Sequence, residues 1–152
     1  MPGRVEVKRT NCGFYAACVV ARRRIPSGSP YEQTVGFSRA VRVGTPAGVL
    51  VYVAGTAPVW PDGTVDPDPL VQARRCWAIA LGALAEAGGD PSTVVRTRTF
   101  LTDRAYEAAA STAHGELFAD VRPASTMLVV AGLLDPRWLV EVELDAFLDP
   151  DG

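Results

Sequence analysis

The chain has 152 residues, 48% hydrophobic and 21% charged, which suits one compact domain with a real core. Fifteen basic residues against seventeen acids leave a formal charge of -2, so the whole chain carries no electrostatic footprint for nucleic acid. Cys12, Cys18 and Cys76 lack the paired spacing of a zinc site or a disulfide framework, and a reduced, cytoplasmic protein is expected.

Met1 to Arg24 mix charge with one short apolar run, Phe14 to Ala21, too short to span a bilayer and followed at once by Arg22-Arg23-Arg24. No targeting segment is read there. The stretch 1–24 is expected as an N-terminal extension, either an extra edge strand or a loose tail, ahead of a single domain over 25–149. Ile25 to Tyr31 is rich in proline, serine and glycine and predicts a rigid loop. From Val35 the pattern becomes strand-like through Val43, and Gly44-Thr45-Pro46-Ala47-Gly48 marks a hairpin. The return strand, Val49 to Ala54, is too continuously apolar to have one face in water. It ends at Gly55, where a missing side chain permits either a bulge or the close approach of a ligand.

Pro61-Asp62-Gly63 is a turn. Asp68 and Pro69 are a helix cap and first helical residue, with Leu70, Ala73, Trp77, Ala80, Leu81 and Leu84 as the inner stripe and Gly88-Gly89 as the stop. Asp90-Pro91-Ser92 begins one helical turn. Val94 to Thr102 predicts a strand in which Arg96 and Arg98 share a face with Val94 and Phe100 and need water or carboxylates as partners. Thr102-Asp103 caps a second helix, Arg104 to Phe118, with inner stripe Ala105, Ala109, Thr112, Ala113 and Leu117. His114, the only histidine, is read as a structural residue near that helix end.

The segment Arg122 to Phe147 reads as two strands around one turn. In the second strand Glu141 and Glu143 alternate with Val140, Val142 and Leu144, which places both acids on one face. Against another subunit, either becomes a candidate acid or base. The element order argues an α+β fold: a single mixed sheet of about six strands with two helices packed on one face. The other face then mixes apolar and charged groups and needs a partner, for which self-association is the simplest supply. No phosphate loop, dinucleotide fingerprint or paired-histidine zinc motif is present, and one histidine makes a Ser-His-Asp apparatus hard to assemble. What remains is a site of carboxylate and backbone.

Several stretches together resemble the Rid family, also called YjgF or L-PSP endoribonuclease-like. They are Ser29-Pro30-Tyr31; Val51-Tyr52-Val53-Ala54-Gly55-Thr56-Ala57-Pro58; Pro61-Asp62-Gly63; Val94 through Asp103; His114-Gly115-Glu116-Leu117-Phe118; Arg122-Pro123-Ala124-Ser125-Thr126; and Leu139-Val140-Glu141-Val142-Glu143. The resemblance implies a chorismate-mutase-like fold, a homotrimer with ligand sites at its subunit interfaces, and no cofactor; the single histidine, the charge and the short apolar run themselves lead to the expectation of no metal and of no nucleic-acid or membrane partner. In the best-known branch the resemblance also implies hydrolysis of reactive enamines and imines, such as 2-aminoacrylate, to a keto acid and ammonia. Glu141 then matches the acid that handles water; Gly55 with its neighbour Thr56, Thr126 and Met127 match ligand contacts, and Tyr31 matches a loop tyrosine. Ser125 stands where the best-known branch carries a carboxylate-clamping arginine. A clamp of that kind is worth about 1.5–3 kcal/mol, or about 10- to 150-fold in binding.

Three readings follow. Either Glu141 and Ser125 act on a small imine, enamine or related carbonyl compound without a carboxylate at that point, or Arg122, Arg96 or Arg98 replaces the clamp. In the third, the fold is a non-catalytic module that binds a small ligand or a protein. Ribonuclease activity fits poorly, since neither a histidine pair nor a basic stripe is present.

Overall fold

The computed structural model describes residues 21–149, so the expectation of a strand or tail over 1–20 lies outside the described residues. Six strands form one sheet: β1 (Arg22–Ile25), β2 (Ala40–Thr45), β3 (Gly48–Thr56), β4 (Val94–Leu101), β5 (Ala124–Val129) and β6 (Val140–Leu148). Their spatial order is β1-β2-β3-β6-β4-β5. All neighbours are antiparallel except β4 and β5, which run parallel. Helices α1 (Pro69–Glu86) and α2 (Glu107–Phe118) serve as crossovers, from β3 to β4 and from β4 to β5.

The β2–β3 hairpin turns at Pro46-Ala47, with Thr45 opposite Gly48. Gly48 sits at φ +145, and a Cβ there would press on the Leu148 carbonyl and the Phe147 ring, so only glycine closes this corner. Helix α1 starts as its caps predict: the Asp68 carboxylate accepts from the N–H groups of Leu70 and Val71 (2.8 and 3.0 Å), and Pro69 needs no partner. It stops at Gly88, φ +96.

Alternation along β6 is strict. Val140, Val142, Leu144 and Ala146 are buried beneath the helices with Ala73, Cys76, Trp77 and Ala80 of α1, while Glu141, Glu143 and Asp145 lie on the opposite face, half-buried. Trp77 meets Phe118 edge to face at 5.2 Å, joining the two helices. Burying each large side chain of this layer contributes about 1.5–3 kcal/mol.

The structure corrects several local expectations. Arg22–Ile25 forms an edge strand on β2 with Ile25 fully buried, so the loop begins after Ile25. Glu32–Gly36 is a wide helical turn where a strand from Val35 was expected, and the strand proper starts at Ala40. A bulge between Val94 and Arg96 breaks alternation in β4: Val94 is buried on the helix side, and Arg96 and Arg98 share the open face with Phe100 alone. The buried residues of α2 are Ala110, Ala113 and Phe118, while Ala105 and Thr112 are exposed; a single turn of 3-10 type at Arg104–Tyr106 re-phases the helix. Finally, β5 and β6 are not neighbours, because β4 lies between them.

Candidate functional site

The open face of the sheet carries Tyr52 from β3, Glu141, Glu143, Asp145 and Phe147 from β6, and Arg98 and Phe100 from β4. This is the mixture of apolar and charged groups read from the alternation. Arg98 is held by the acids of β6, donating to Glu143 (2.6 Å) with Asp145 at 3.5 Å. Glu141 is left out of that pairing.

The position of Glu141 follows from a fault in the β3 ladder. Between the pairs Val53–Leu144 and Thr56–Val142, β3 supplies two residues, Ala54 and Gly55, against the single Glu143 of β6. The bulge turns Gly55 toward the Glu141 side chain so closely that a Cβ would fall on its carboxylate oxygen Oε1. Burial, and then the Glu143 carboxylate, push the Glu141 carboxyl above the usual range, against the opposing Arg39 guanidinium. A carboxyl so placed exchanges protons nearer neutrality than an ordinary surface glutamate.

Arg39, at the entry to β2, carries no sequence signal beyond an arginine at a strand start, yet it is the cation of this corner. Its Nη1 donates to the Gly55 carbonyl (3.0 Å) and to Thr56 Oγ1 (3.1 Å), and the Thr56 hydroxyl passes its own proton to the Ala54 carbonyl (2.9 Å). Burial lowers the Arg39 pKa, and the charges of Glu141 and Glu32 raise it. Glu32 in turn accepts from the Ser27 N–H and hydroxyl (2.9 and 3.0 Å), which anchors the loop that presents Tyr31, 68% exposed, to solvent.

Glu141, Gly55, Thr56 and Arg39 therefore stand together, with the Tyr31 loop tied to Glu32 beside them. Thr56 is fully buried, and its hydroxyl is already committed. Ser125, Thr126 and Met127 are elsewhere in the chain. In register Ser125 lies opposite Thr97 and hence Leu144, on the helix side of the sheet, whereas Glu141 is on the open side; β4 separates their strands by about 10 Å. Met127 lines a groove of about 470 Å³ with Arg104, Glu107 and Ser111, remote from Gly55. Arg122, at φ +53, folds back to donate to the Ala119 carbonyl (3.1 Å). Of the arginines considered as replacements for the clamp, Arg122 is thus turned to the end of α2, Arg98 is paired with acids, and Arg96 is exposed.

The remaining polar groups of interest are structural. His114 Nε2 bonds Thr97 Oγ1 (3.0 Å) on the helix side, its ring packs against Trp77 and Phe118, and burial lowers its pKa. The Cys76 thiol donates to the Val140 carbonyl (3.4 Å), and burial pushes its pKa far up, so it is no nucleophile. Among the described residues no cluster of acids, cysteines and histidine could hold a metal ion, and no helix is long and apolar enough to cross a membrane.

A six-stranded mixed sheet with both helices on one face and its acids on the other is the α+β fold of the YjgF/L-PSP proteins. The chain belongs to the family described as Endoribonuclease L-PSP, whose model matches residues 29–148. It is similar to the crystal structure of Rv2704 of Mycobacterium tuberculosis, a member of the YjgF/YER057c/UK114 family, at 37% identity and TM-score 0.75 over 84% of this chain and 100% of that one. An uncharacterized protein of Streptomyces coelicolor is 43% identical over 128 residues, covering 84% of this chain and 92% of its own length. Protein DfrA of Myxococcus xanthus is 33% identical over 129 residues, covering 84% and 95%.

Proposed function

We propose that the protein hydrolyses a small reactive imine, enamine or related carbonyl metabolite, without cofactor, with Glu141 as the proton-handling acid. The observation that carries this reading is Glu141 itself: a half-buried carboxyl with raised pKa, unpaired by the neighbouring Arg98, held against a glycine whose missing side chain leaves room for the carboxylate. A carboxylate kept only for solubility has no cause to be desolvated or to need such a neighbour, so the arrangement favours catalysis over a purely binding module.

In the reaction, Glu141 takes a proton from water as the water oxygen bonds to the imine carbon, and the nitrogen is protonated. In the resulting carbinolamine the hydroxyl proton passes by way of Glu141 to the amine nitrogen as the C–N bond breaks, so that ammonia and a carbonyl product separate. An enamine enters the same path after protonation at carbon. Ser125, in place of the clamping arginine, supplies a short neutral hydroxyl.

The assembly read with this site is a homotrimer. Edge strand β5 has one unpaired side and exposes Leu128 (51%) and Val129 (55%), a surface that requires cover. Packing β5 of one subunit against the open face of the next brings Ser125, Thr126 and Met127 toward a Glu141 they do not reach within one chain. Light scattering measures the assembly. The chemical test is ammonia and carbonyl release from freshly generated 2-aminoacrylate and bulkier imines by the native protein and Glu141→Gln. Loss of at least about 100-fold in the variant is expected, given the usual weight of a positioned acid or base; unchanged turnover removes Glu141 from the mechanism.

A further inference from the structure

We infer that Arg39 is the anion-binding residue of this site, so that the ligand carries a carboxylate even though Ser125 cannot clamp one. The inference rests on the proposed site at Glu141.

The geometry of the guanidinium carries it. Nη1 spends its donors on the Gly55 carbonyl and Thr56 Oγ1, both belonging to the bulged end of β3, and this fixes the plane of the group. The opposite edge, Nε–H and the Nη2 hydrogens, has no hydrogen-bond partner among the described residues, and no carboxylate there lies within ion-pairing distance. That edge is the fork which takes a carboxylate through two parallel bonds. It also reaches solvent: the one buried side-chain polar atom left without a partner among the described residues is Trp138 Nε1. Of the other arginines on the open face, Arg98 is bonded to Glu143, and Arg96 stands in register with Asp145, further along the sheet from Glu141.

A half-buried arginine that is anchored at one end and open at the other has already lost its side-chain freedom, so a ligand need not order it. Glu141 and Glu32 oppose an incoming anion with their own negative charge but leave the fork unoccupied, and the half-buried setting strengthens the direct attraction of the guanidinium for a carboxylate seated on it. The reacting carbon of a 2-imino acid is bonded directly to its carboxylate. Arg39 and Glu141 meet the same bulge residue, Gly55, one at its carbonyl and the other beside its α-carbon, so a carboxylate held by Arg39 places the carbon bonded to it in the same corner of the sheet as Glu141. The acid group is then held from the β2–β3 side, by the chain that supplies Glu141, and not from edge strand β5. Ser125 becomes free to face the rest of the substrate.

The test compares a charged probe with its neutral isostere, pyruvate and pyruvamide, titrated by calorimetry into the native protein, Arg39→Gln and Arg39→Lys. Glutamine keeps a donor for the Gly55 carbonyl and lysine keeps the charge, and thermal denaturation checks that each variant folds. Native protein is expected to prefer pyruvate. Arg39→Gln loses about 10- to 150-fold in pyruvate affinity with less than threefold change for pyruvamide, and Arg39→Lys lies between. Equal weakening of both probes makes Arg39 a strut of the bulge and overturns the inference, as does native protein that does not distinguish the probes. Failure of the proposed function shows separately: Arg39-dependent pyruvate binding without turnover of any imine refutes hydrolysis and leaves the anion site standing. Turnover that is indifferent to Arg39 does the reverse.

Discussion

Gln72 offers the sharpest test of how the fold positions β6. It is 1% exposed on α1, yet it is not a packing residue. Its Nε2 donates to the Asp66 carbonyl (2.7 Å) and the Arg137 carbonyl (2.9 Å), and its Oε1 accepts from the Leu139 N–H (2.8 Å). One side chain thus ties the start of α1 to the residues that lead into Val140 and Glu141. Gln72→Leu keeps the volume and orphans three backbone groups. A buried orphan costs about 1–3 kcal/mol. Asp66 is only half-buried and Arg137 is exposed, so water compensates part of the loss at their carbonyls. The Leu139 N–H is the group most dependent on Gln72, and the net destabilisation is expected at about 2–4 kcal/mol. For a domain of this size that lowers Tm by about 4–16 °C. Urea denaturation followed by tryptophan fluorescence gives the free energy directly. Gln72→Glu adds a signature that the leucine variant lacks. A carboxylate cannot donate to the two carbonyls, so its pKa is raised in the folded state; stability is then highest below the unfolded carboxyl pKa and falls as pH rises through the folded one. A Gln72→Leu protein within about 0.5 kcal/mol of native, or a Gln72→Glu protein with no excess loss of stability between acid and neutral pH, refutes the reasoning.

Glu141→Gln is expected to stabilise the fold at neutral pH and not in acid. The native carboxyl is raised in the folded state, so native stability falls as pH rises past the unfolded value through the folded one, a slope that glutamine removes; parallel stability–pH curves would contradict this. Gly55→Ala meets only the far end of the Glu141 side chain, so thermal stability should change by less than about 1 kcal/mol while turnover falls about tenfold or more as the carboxylate is displaced; full activity would mean that the seat of the carboxylate against Gly55 does not matter to the reaction. Gly48→Ala meets the Leu148 carbonyl at 2.6 Å in a left-handed conformation, with a cost of about 2–4 kcal/mol read by chemical denaturation; a loss below 1 kcal/mol would show that the hairpin corner relaxes freely.

Much of the molecule is legible in local pattern. Asp68-Pro69 and Gly88 bound α1 because capping is satisfied within one turn, and the Gly44–Gly48 hairpin needs only its own five residues. Glu141 and Glu143 share a face because strand alternation is a property of the backbone. Each of these involves partners within a few residues, so composition and spacing suffice.

Pairing between distant strands does not. Nothing between Arg122 and Phe147 says that β5 and β6 are kept apart by β4, a choice made by the crossover connections and by burial of the apolar side of β6 beneath α1. The bulges at Ala54-Gly55 and beside Val95 are faults between two ladders, invisible in either strand alone, yet one aims Glu141 and the other turns Val94 away from the arginines. Gln72 reads as a polar break in a helical stripe until the loop carrying Arg137 and Leu139 is laid against it. Arg39 is the clearest case. Its sequence distance from Gly55 is sixteen residues and from Glu141 about a hundred, so its role as the cation of the corner exists only once β2, β3 and β6 lie side by side.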